Sequence, residues 1–191
     1  MEATPRIELG MEVLQTSALP LGYVASVRAR FYDPGVSEDF RAALARVASG
    51  VVVVSARSAE RFHGLTASSL VSVSVEPPLV LVSLEHETAT LSAVRESRRF
   101  NVNVLTRGQE FVAERFAGRA PAVDADWRVI PHRLGENGIP LIDGCAAWLE
   151  CDVSEIHTAG DHDVCIGRVT SALAGSGDPL ILWDRSFWTL R

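Results

Sequence analysis

Residues 62–84 constrain the fold of this chain more than any other stretch. They read FHGLTASSLVSVSVEPPLVLVSL, which predicts two β-strands joined by a turn at Glu76-Pro77-Pro78. Alternation along the first strand predicts two faces of different chemistry. The mostly hydroxyl-bearing face holds Thr66, Ser68, Leu70, Ser72 and Ser74, and the mostly apolar face holds Ala67, Ser69, Val71, Val73 and Val75.

The hydroxyl face has two interpretations. No acidic residue occurs from Arg61 to Val75, so the face could hold an anionic ligand such as a nucleotide phosphate. The same alternation is ordinary for a half-buried antiparallel strand whose polar face meets solvent. Periodicity alone favours this second, plainer interpretation.

Composition restricts the possible partners and the compartment. The chain has 191 residues, 47% of them hydrophobic, with a net charge of −6, so no nucleic-acid partner is expected. The longest apolar runs, such as Val51–Val54, are too short to cross a membrane, and Met1–Leu9 lacks the pattern of an export signal. Three cysteines without close spacing suit a reducing compartment, so we expect a cytoplasmic protein.

The remaining pattern predicts a mainly β protein with a few helices. About seven strands and three helices are expected, without regular strand–helix alternation, which favours a closed or split β-barrel over a doubly wound sheet. The predicted helices are Ser37–Ser49, a short helix capped by Thr88 or Thr90, and Gly108–Ala117. Residues 1–36 are interpreted as an N-terminal extension, which could pack on the body or on a second subunit, and residues 37–191 as the folded domain.

Several kinds of catalytic site are not supported by the sequence. The glycine-rich phosphate-binding loops and the G-x-S-x-G nucleophile motif are absent. Cysteine and histidine residues cluster between Cys145 and Cys165, but they lack the tight pairs typical of zinc sites, so no metal is predicted. Any nucleotide must therefore be bound by other means.

Several motifs, in order along the chain, carry a resemblance to a known family. They are GLTASSLVSVSVEPPLVLVSL from Gly64, SRRFNVNVL from Ser97, Gln109 through Ala117, PLIDG from Pro140, AWLEC from Ala147 and GDH from Gly160. Together they resemble the flavin reductase-like family, the small reductase components of two-component flavin-dependent monooxygenases. The resemblance covers roughly residues 37–191.

The resemblance implies a fold and an activity. The fold is the FMN-binding split β-barrel, usually a homodimer with flavin near the subunit interface. The implied activity is transfer of a hydride from NAD(P)H to FMN or FAD, with reduced flavin supplied to a partner monooxygenase. Two alternatives stay open: a flavoprotein with tightly bound FMN that acts on an organic substrate, and a non-catalytic flavin- or haem-binding barrel. The absence of a basic cluster favours NADH slightly over NADPH.

The resemblance also implies the site residues. Flavin and its phosphate would contact the segment His63, Gly64, Leu65, Thr66, Ala67, Ser68 and Ser69, then Ser83, Leu84, Glu85, Ala89, Thr90, Asn101, Arg115 and Phe116. Arg115 would approach the phosphate. Asp161 and His162 would lie near the nicotinamide, and His162 is the residue expected to act in catalysis. Hydride transfer needs no protein nucleophile because the cofactors carry the chemistry.

Overall fold

The computed structural model describes residues 11–13, 34–59, 61–117 and 127–190. The chain divides into two compact units. One is Gly50–Leu180, and the other combines Met1–Ser49 with Ile181–Arg191. Most of the predicted N-terminal extension lies outside the described residues. No helix among the residues described is long and apolar enough to cross a membrane.

The larger unit is built mainly from β-strands. Its strands and helices are β3 (Val52–Arg57), β4 (Phe62–Ala67), β5 (Val71–Ser74), β6 (Leu79–Glu85), α2 (Ala89–Ser97), β7 (Arg99–Val104), α3 (Glu110–Phe116), β8 (His132–Leu134), β9 (Pro140–Ile142), β10 (Ala147–Ala159) and β11 (His162–Ala174). A short 3-10 turn, Trp127–Val129, precedes β8.

The smaller unit contains β1 (Met11–Val13), α1 (Pro34–Leu44), β12 (Ile181–Trp183) and β13 (Ser186–Leu190). The strands β12 and β13 form a hairpin, and β1 pairs antiparallel with β13. The rings of Trp183 and Trp188 meet edge to face, with centroids 5.2 Å apart. The two-residue strand β2 (Ser49–Gly50) lies where the chain passes from this unit into the larger one.

The principal sheet has seven strands in the order β4-β3-β7-β10-β11-β6-β5, and every neighbouring pair is antiparallel. The two edge strands, β4 and β5, follow each other in the chain, so the short link between them must pass from one edge of the sheet to the other. This is possible only because the sheet curls. The Ser69 hydroxyl accepts a hydrogen bond from the Ser83 backbone N–H (2.9 Å) and donates to the Ser83 carbonyl (3.2 Å).

The core lies between this curved sheet and α2. Leu91, Ala93 and Val94 of the helix pack with Phe100 and with the inward side chains of β3, β6 and β7. Thr88 caps α2 as predicted, because its hydroxyl accepts a hydrogen bond from the Leu91 N–H (3.2 Å). The mainly β fold class predicted from the sequence is confirmed.

The predicted first strand of residues 62–84 is wrong in one respect: the chain forms two strands, β4 and β5, separated by Ser68–Leu70. The break changes which side chains are buried. Leu65, Ala67 and Leu70 pack on the core, whereas Val71, Val73 and Val75 are 51%, 48% and 88% exposed. Alternation assumes an uninterrupted strand, and the crossing between sheet edges breaks that assumption.

Two other element predictions need correction. The first helix begins at Pro34 and ends at Leu44, rather than spanning Ser37–Ser49. Phe40, Leu44 and Val47, the large apolar side chains of the predicted helix, are all more than half exposed. Helix α3 begins two residues later than predicted, because Arg107 and Gly108 form a turn and Gln109 is the N-cap residue.

Candidate functional site

Helix α3 lies against the hydroxyl-bearing face of β4. The Thr66 hydroxyl donates a hydrogen bond to the Ala113 carbonyl at 2.6 Å. A Cβ atom added at Gly64 would lie 2.5 Å from Cε1 of Phe116 and 3.0 Å from Cζ2 of Trp127. Glycine at position 64 therefore permits close packing of the α3 aromatic ring on the strand. In β4, the face predicted to cradle a ligand is occupied by protein.

Arg115, at the end of α3, is a buried cation with an unusual environment. Its side chain is 8% exposed, and its guanidinium lies 5.2 Å from the ring centroid of Phe111. Among the described residues, its buried Nε atom has no hydrogen-bond partner. A buried guanidinium nitrogen without an acceptor is costly, and a buried cation of this kind is a candidate to bind an anion.

The polar side chains of β4 and of the segment that follows it differ in exposure and in hydrogen bonding. Ser68 is exposed, whereas the Ser69 hydroxyl is used in the bridge to Ser83. At the start of β4, His63 Nε2 lies 3.0 Å from the Ser58 hydroxyl. Burial, with a smaller contribution from Arg61, lowers the pKa of His63, so the imidazole is held neutral near pH 7.

The second group of predicted residues meets at the turn between β10 and β11. His162 is the register partner of Glu85 in β6, and the His86 N–H donates to the Asp161 carbonyl at 2.9 Å. The imidazole Nδ1 of His162 lies 2.6 Å from an Asp161 carboxylate oxygen. The hydrogen bond from His162 lowers the pKa of Asp161, so the carboxylate stays charged and orients the ring.

A buried carboxylate lies directly behind this turn. Asp163 is fully buried, and it accepts hydrogen bonds from both Nε and a terminal nitrogen of Arg95. His86 Nε2 lies 2.8 Å from its other oxygen, to which the Thr158 hydroxyl also donates at 3.1 Å. Burial alone would raise the pKa of Asp163, but these hydrogen bonds lower it below its usual value.

The strands and helices thus connect the two groups of predicted residues. α3 contacts β4, the Ser69 bridge joins the end of β4 to β6, and β6 pairs with β11 at His162. Helix α2 begins four residues after Glu85, the last residue of the β6–β11 pairing, which places exposed Ala89 and buried Thr90 beside the turn. Most of the predicted site therefore follows one continuous path across the sheet.

A family model described as flavin reductase like domain matches residues 44–191. The chain belongs to the flavin reductase like family. It is 37% identical over 165 residues to an NADH-dependent flavin reductase of a Rhodococcus species, covering 83% of this chain and 89% of that protein. It is 35% identical over 157 residues to the reductase component of 4-hydroxyphenylacetate 3-monooxygenase of Thermus thermophilus, covering 80% and 95%.

Solved structures agree with this assignment. The NADH:FAD oxidoreductase SgcE6 of Streptomyces globisporus C-1027, in complex with NAD and FAD fragments, superposes with a TM-score of 0.74 at 32% identity. The superposition covers 83% of this chain and 95% of that one. The flavin reductase PheA2 gives a TM-score of 0.75 at 31% identity, covering 81% and 97%. The family predicted from the sequence and the split β-barrel fold are both confirmed.

Some residues predicted to contact the cofactor have side chains directed elsewhere in this flavin reductase like fold. Asn101 is fully buried, exchanges hydrogen bonds with the Asn137 amide and donates to the Ile139 carbonyl. Phe116 packs under Gly64, and Leu84 lies in the core. Leu65 and Ala67 also pack on the core, so these two residues can offer a ligand mainly their backbone groups.

The three cysteines are buried free thiols. Burial raises the pKa of Cys145 and of Cys151 to about 12 and that of Cys165 to about 11, so all three remain protonated and unreactive near pH 7. In the described parts of the chain, no three or more histidine, cysteine or acidic side chains are grouped to hold a metal ion.

The sequence analysis missed the Asp163 network. A signal was present, because Asp163 occupies an inward position in the alternation of β11, shared with Cys165 and Gly167. A carboxylate at an inward position predicts buried partners. Thr158 is five residues from Asp163, but His86 and Arg95 are 77 and 68 residues away from it, and only the fold brings these two side chains to the carboxylate.

Proposed function

We propose that this chain is an NAD(P)H-dependent flavin reductase that transfers a hydride to FMN or FAD and supplies reduced flavin to a partner monooxygenase. The observation that carries the proposal is family membership over residues 44–191, with relatives named as NADH-dependent flavin reductase and as a monooxygenase reductase component. These relatives align over four fifths or more of this chain, so the likeness covers the whole catalytic unit.

The geometry fits a flavin whose phosphate lies near Arg115. The buried Nε atom without an acceptor is the feature that supports this placement. Guanidinium groups bind phosphate through charge-assisted hydrogen bonds, and such bonds are strong where water is excluded. The backbone of His63–Ser69, with exposed Ser68, would hold the ribityl chain and the edge of the ring.

The nicotinamide would approach at the turn of β10 and β11. A bound flavin accepts a hydride at N5 from C4 of the dihydronicotinamide, so the protein is required to align the two rings rather than to supply a nucleophile. Asp161 holds Nδ1 of His162, which leaves Nε2 directed outward to contact the dinucleotide. Glu85, the register partner of His162, lies at the same edge of the sheet.

The direct test is whether the purified protein oxidises NADH or NADPH. The reaction is monitored as the loss of absorbance of the reduced nicotinamide. Turnover is expected only when FMN or FAD is added, and the flavin should be removed by gel filtration because it is a substrate. No turnover with any combination of flavin and nicotinamide would contradict the proposal. Flavin retained through gel filtration would instead support a prosthetic group and direct action on an organic substrate.

Replacement of His162 by alanine is expected to raise KM for NADH about tenfold, because one charge-assisted hydrogen bond to the dinucleotide is lost. The dissociation constant of flavin should change less than twofold. The matched control is His157→Ala on the same hairpin, where His157 pairs only with exposed Glu155. Equal increases in KM for NADH and in the dissociation constant of flavin would contradict the placement of His162 at the nicotinamide. An equal effect of His157→Ala would contradict it as well.

The active species is proposed to be a homodimer. Val71 and Val73 lie on an edge strand of the principal sheet with about half of each side chain exposed, next to the almost fully exposed Val75. An exposed apolar edge strand is an association site, and a second copy of this chain would cover it. The exposed Ser68, in the link between β4 and β5, would then be enclosed between subunits.

Replacement of Val73 by aspartate is expected to convert the dimer to monomer in gel filtration with light scattering, since a charge would enter an apolar interface. Ser72→Asp is the matched control, because Ser72 is the neighbouring exposed residue of β5 but already has a polar side chain, so a charge placed there would replace no apolar contact. A wild-type protein that is monomeric at micromolar concentration would contradict the proposed homodimer. A cytoplasmic location is proposed in addition, on the basis of the three free thiols.

A further inference from the structure

The Asp163 network joins three separate parts of the larger unit at one carboxylate. Arg95 belongs to α2, His86 to the link between β6 and α2, and Thr158 to β10. Each makes at least one hydrogen bond to Asp163, whose side chain is completely buried. A buried carboxylate with four donors is fully satisfied and holds its donors in fixed positions.

The network lies on the opposite side of β11 from the imidazole of His162. Successive residues of a strand point to opposite faces, and here Asp163 is buried while His162 is 40% exposed at its side chain. The His86 N–H also donates to the Asp161 carbonyl at 2.9 Å, so the same link holds both sides of the turn. Fixing Asp163 therefore fixes the direction in which His162 projects.

We infer that Asp163 is the positioning residue of the nicotinamide site, holding the β10–β11 turn against α2 so that His162 is presented at the flavin. This rests on the proposed function. Asp163 contacts neither cofactor, and it acts through His162. Arg95 and His86 belong to the same arrangement, and they link the nicotinamide turn to the beginning of α2, where Ala89 and Thr90 lie.

The test uses Asp163→Asn in the full chain, which keeps the shape of the side chain and removes its charge. Two constants are measured: KM for NADH, and the dissociation constant of NAD⁺ by calorimetry with oxidised FMN present, where no turnover occurs. Both are expected to rise about tenfold, while the dissociation constant of FMN changes less than twofold. Faster hydrogen exchange of the His86 amide is expected in the same variant, because its bond to Asp161 is released.

A double-mutant cycle separates positioning from general loss of stability. If Asp163 acts through His162, Asp163→Asn should have little further effect on the NAD⁺ constant in a His162→Ala background. Additive effects in this cycle, unchanged nicotinamide constants, or equal weakening of FMN binding would each overturn the inference. Failure of the wild-type protein to oxidise NADH with any flavin would instead refute the proposed function and is distinguished before the variants are made.

Two further variants complete the design. Asp152→Asn is the matched control, because Asp152 lies on the same hairpin in an exposed pair with Arg99 and should leave both nicotinamide constants unchanged. Arg95→Gln removes the guanidinium from a half-exposed side chain and is expected to fold even if Asp163→Asn does not. It should raise the NAD⁺ constant about threefold, and an unchanged constant would count against the inference.

Discussion

Replacement of Gly64 by alanine is expected to lower the free energy of unfolding by about 3 kcal/mol, the upper part of the range for overpacked interiors. The added Cβ atom would lie 2.5 and 2.6 Å from two carbons of the Phe116 ring, closer than real contacts allow. The ring is nearly fully buried and packs on Trp127 with centroids 4.8 Å apart, so it has little room to move. Urea unfolding of the flavin-free protein measures the change.

Gly50→Ala is the matched control for this prediction. No atom lies within 4 Å of a Cβ built at Gly50, and its φ is not in the left-handed region. The control should therefore change stability by less than about 0.5 kcal/mol. Phe116→Leu should relieve the clash, so that the double variant Gly64→Ala with Phe116→Leu is more stable than the sum of the single changes predicts. Strict additivity would show that the ring of Phe116 is not the obstacle.

The packing of Phe116 on Gly64 illustrates a first limit of prediction from a sequence motif. The sequence of residues 62–84 predicts β-structure on both sides of a turn and, together with the other motifs in their order, the family, because local alternation and the order of motifs are visible in the chain. It does not predict that α3 covers Thr66 and Gly64, since this contact joins residues about fifty positions apart. A glycine beside hydroxyl residues suggests close approach of a ligand, whereas the structure shows close approach of Phe116.

The valines after Ser68 illustrate a second limit. Alternation predicts that Val71, Val73 and Val75 face the core, but the chain crosses from one sheet edge to the other at Ser68–Leu70. Periodicity within a strand carries no information on where the strand ends if the residues at the break are compatible with a strand. The break at residues 68–70 consists of serine and leucine, which strands accept, and it contains no glycine or proline that would mark the end of a strand.

Buried charges are the third case. The sequence indicates which charged residue is buried, but it does not indicate its partners. The inward position of Asp163 is visible from the alternation of β11, and a partner for it is required by the cost of burying a carboxylate. The identity of the partners is not visible, because Arg95 is 68 residues away. Arg115 is the reverse case: its helix is predicted, but only the packed structure shows that its Nε atom has no acceptor among the described residues.

Arg115 and Asp163 are both buried charged side chains, but they differ in their hydrogen-bond partners. Asp163 is buried with every donor supplied by the chain, so its removal should harm the protein with or without ligand. Arg115 is buried with a donor that no described residue satisfies, so the flavin-free protein bears its cost and bound flavin would offset it. Sites that bind ligands are commonly less stable than the same fold would be without them.

Replacement of Arg115 by methionine is therefore expected to have opposite effects on binding and on stability. The dissociation constant of FMN should rise about 100-fold, corresponding to loss of roughly 3 kcal/mol of charge-assisted hydrogen bonding to phosphate. The flavin-free variant should be more stable than wild type by about 1 kcal/mol, because removal of a buried guanidinium whose Nε atom has no acceptor among the described residues outweighs the lost contact with the Phe111 ring. Calorimetry with FMN and urea unfolding without it measure the two quantities.

Two comparisons make this prediction specific. Riboflavin, which lacks the phosphate, should bind wild type and Arg115→Met equally well, because the proposed contact of the guanidinium is with the phosphate alone. Arg107→Met, at an exposed arginine preceding α3, should leave both FMN affinity and stability within experimental error of wild type. A variant at Arg115 that loses stability and FMN affinity together would show that the guanidinium supports the fold of α3 and that the phosphate is bound elsewhere.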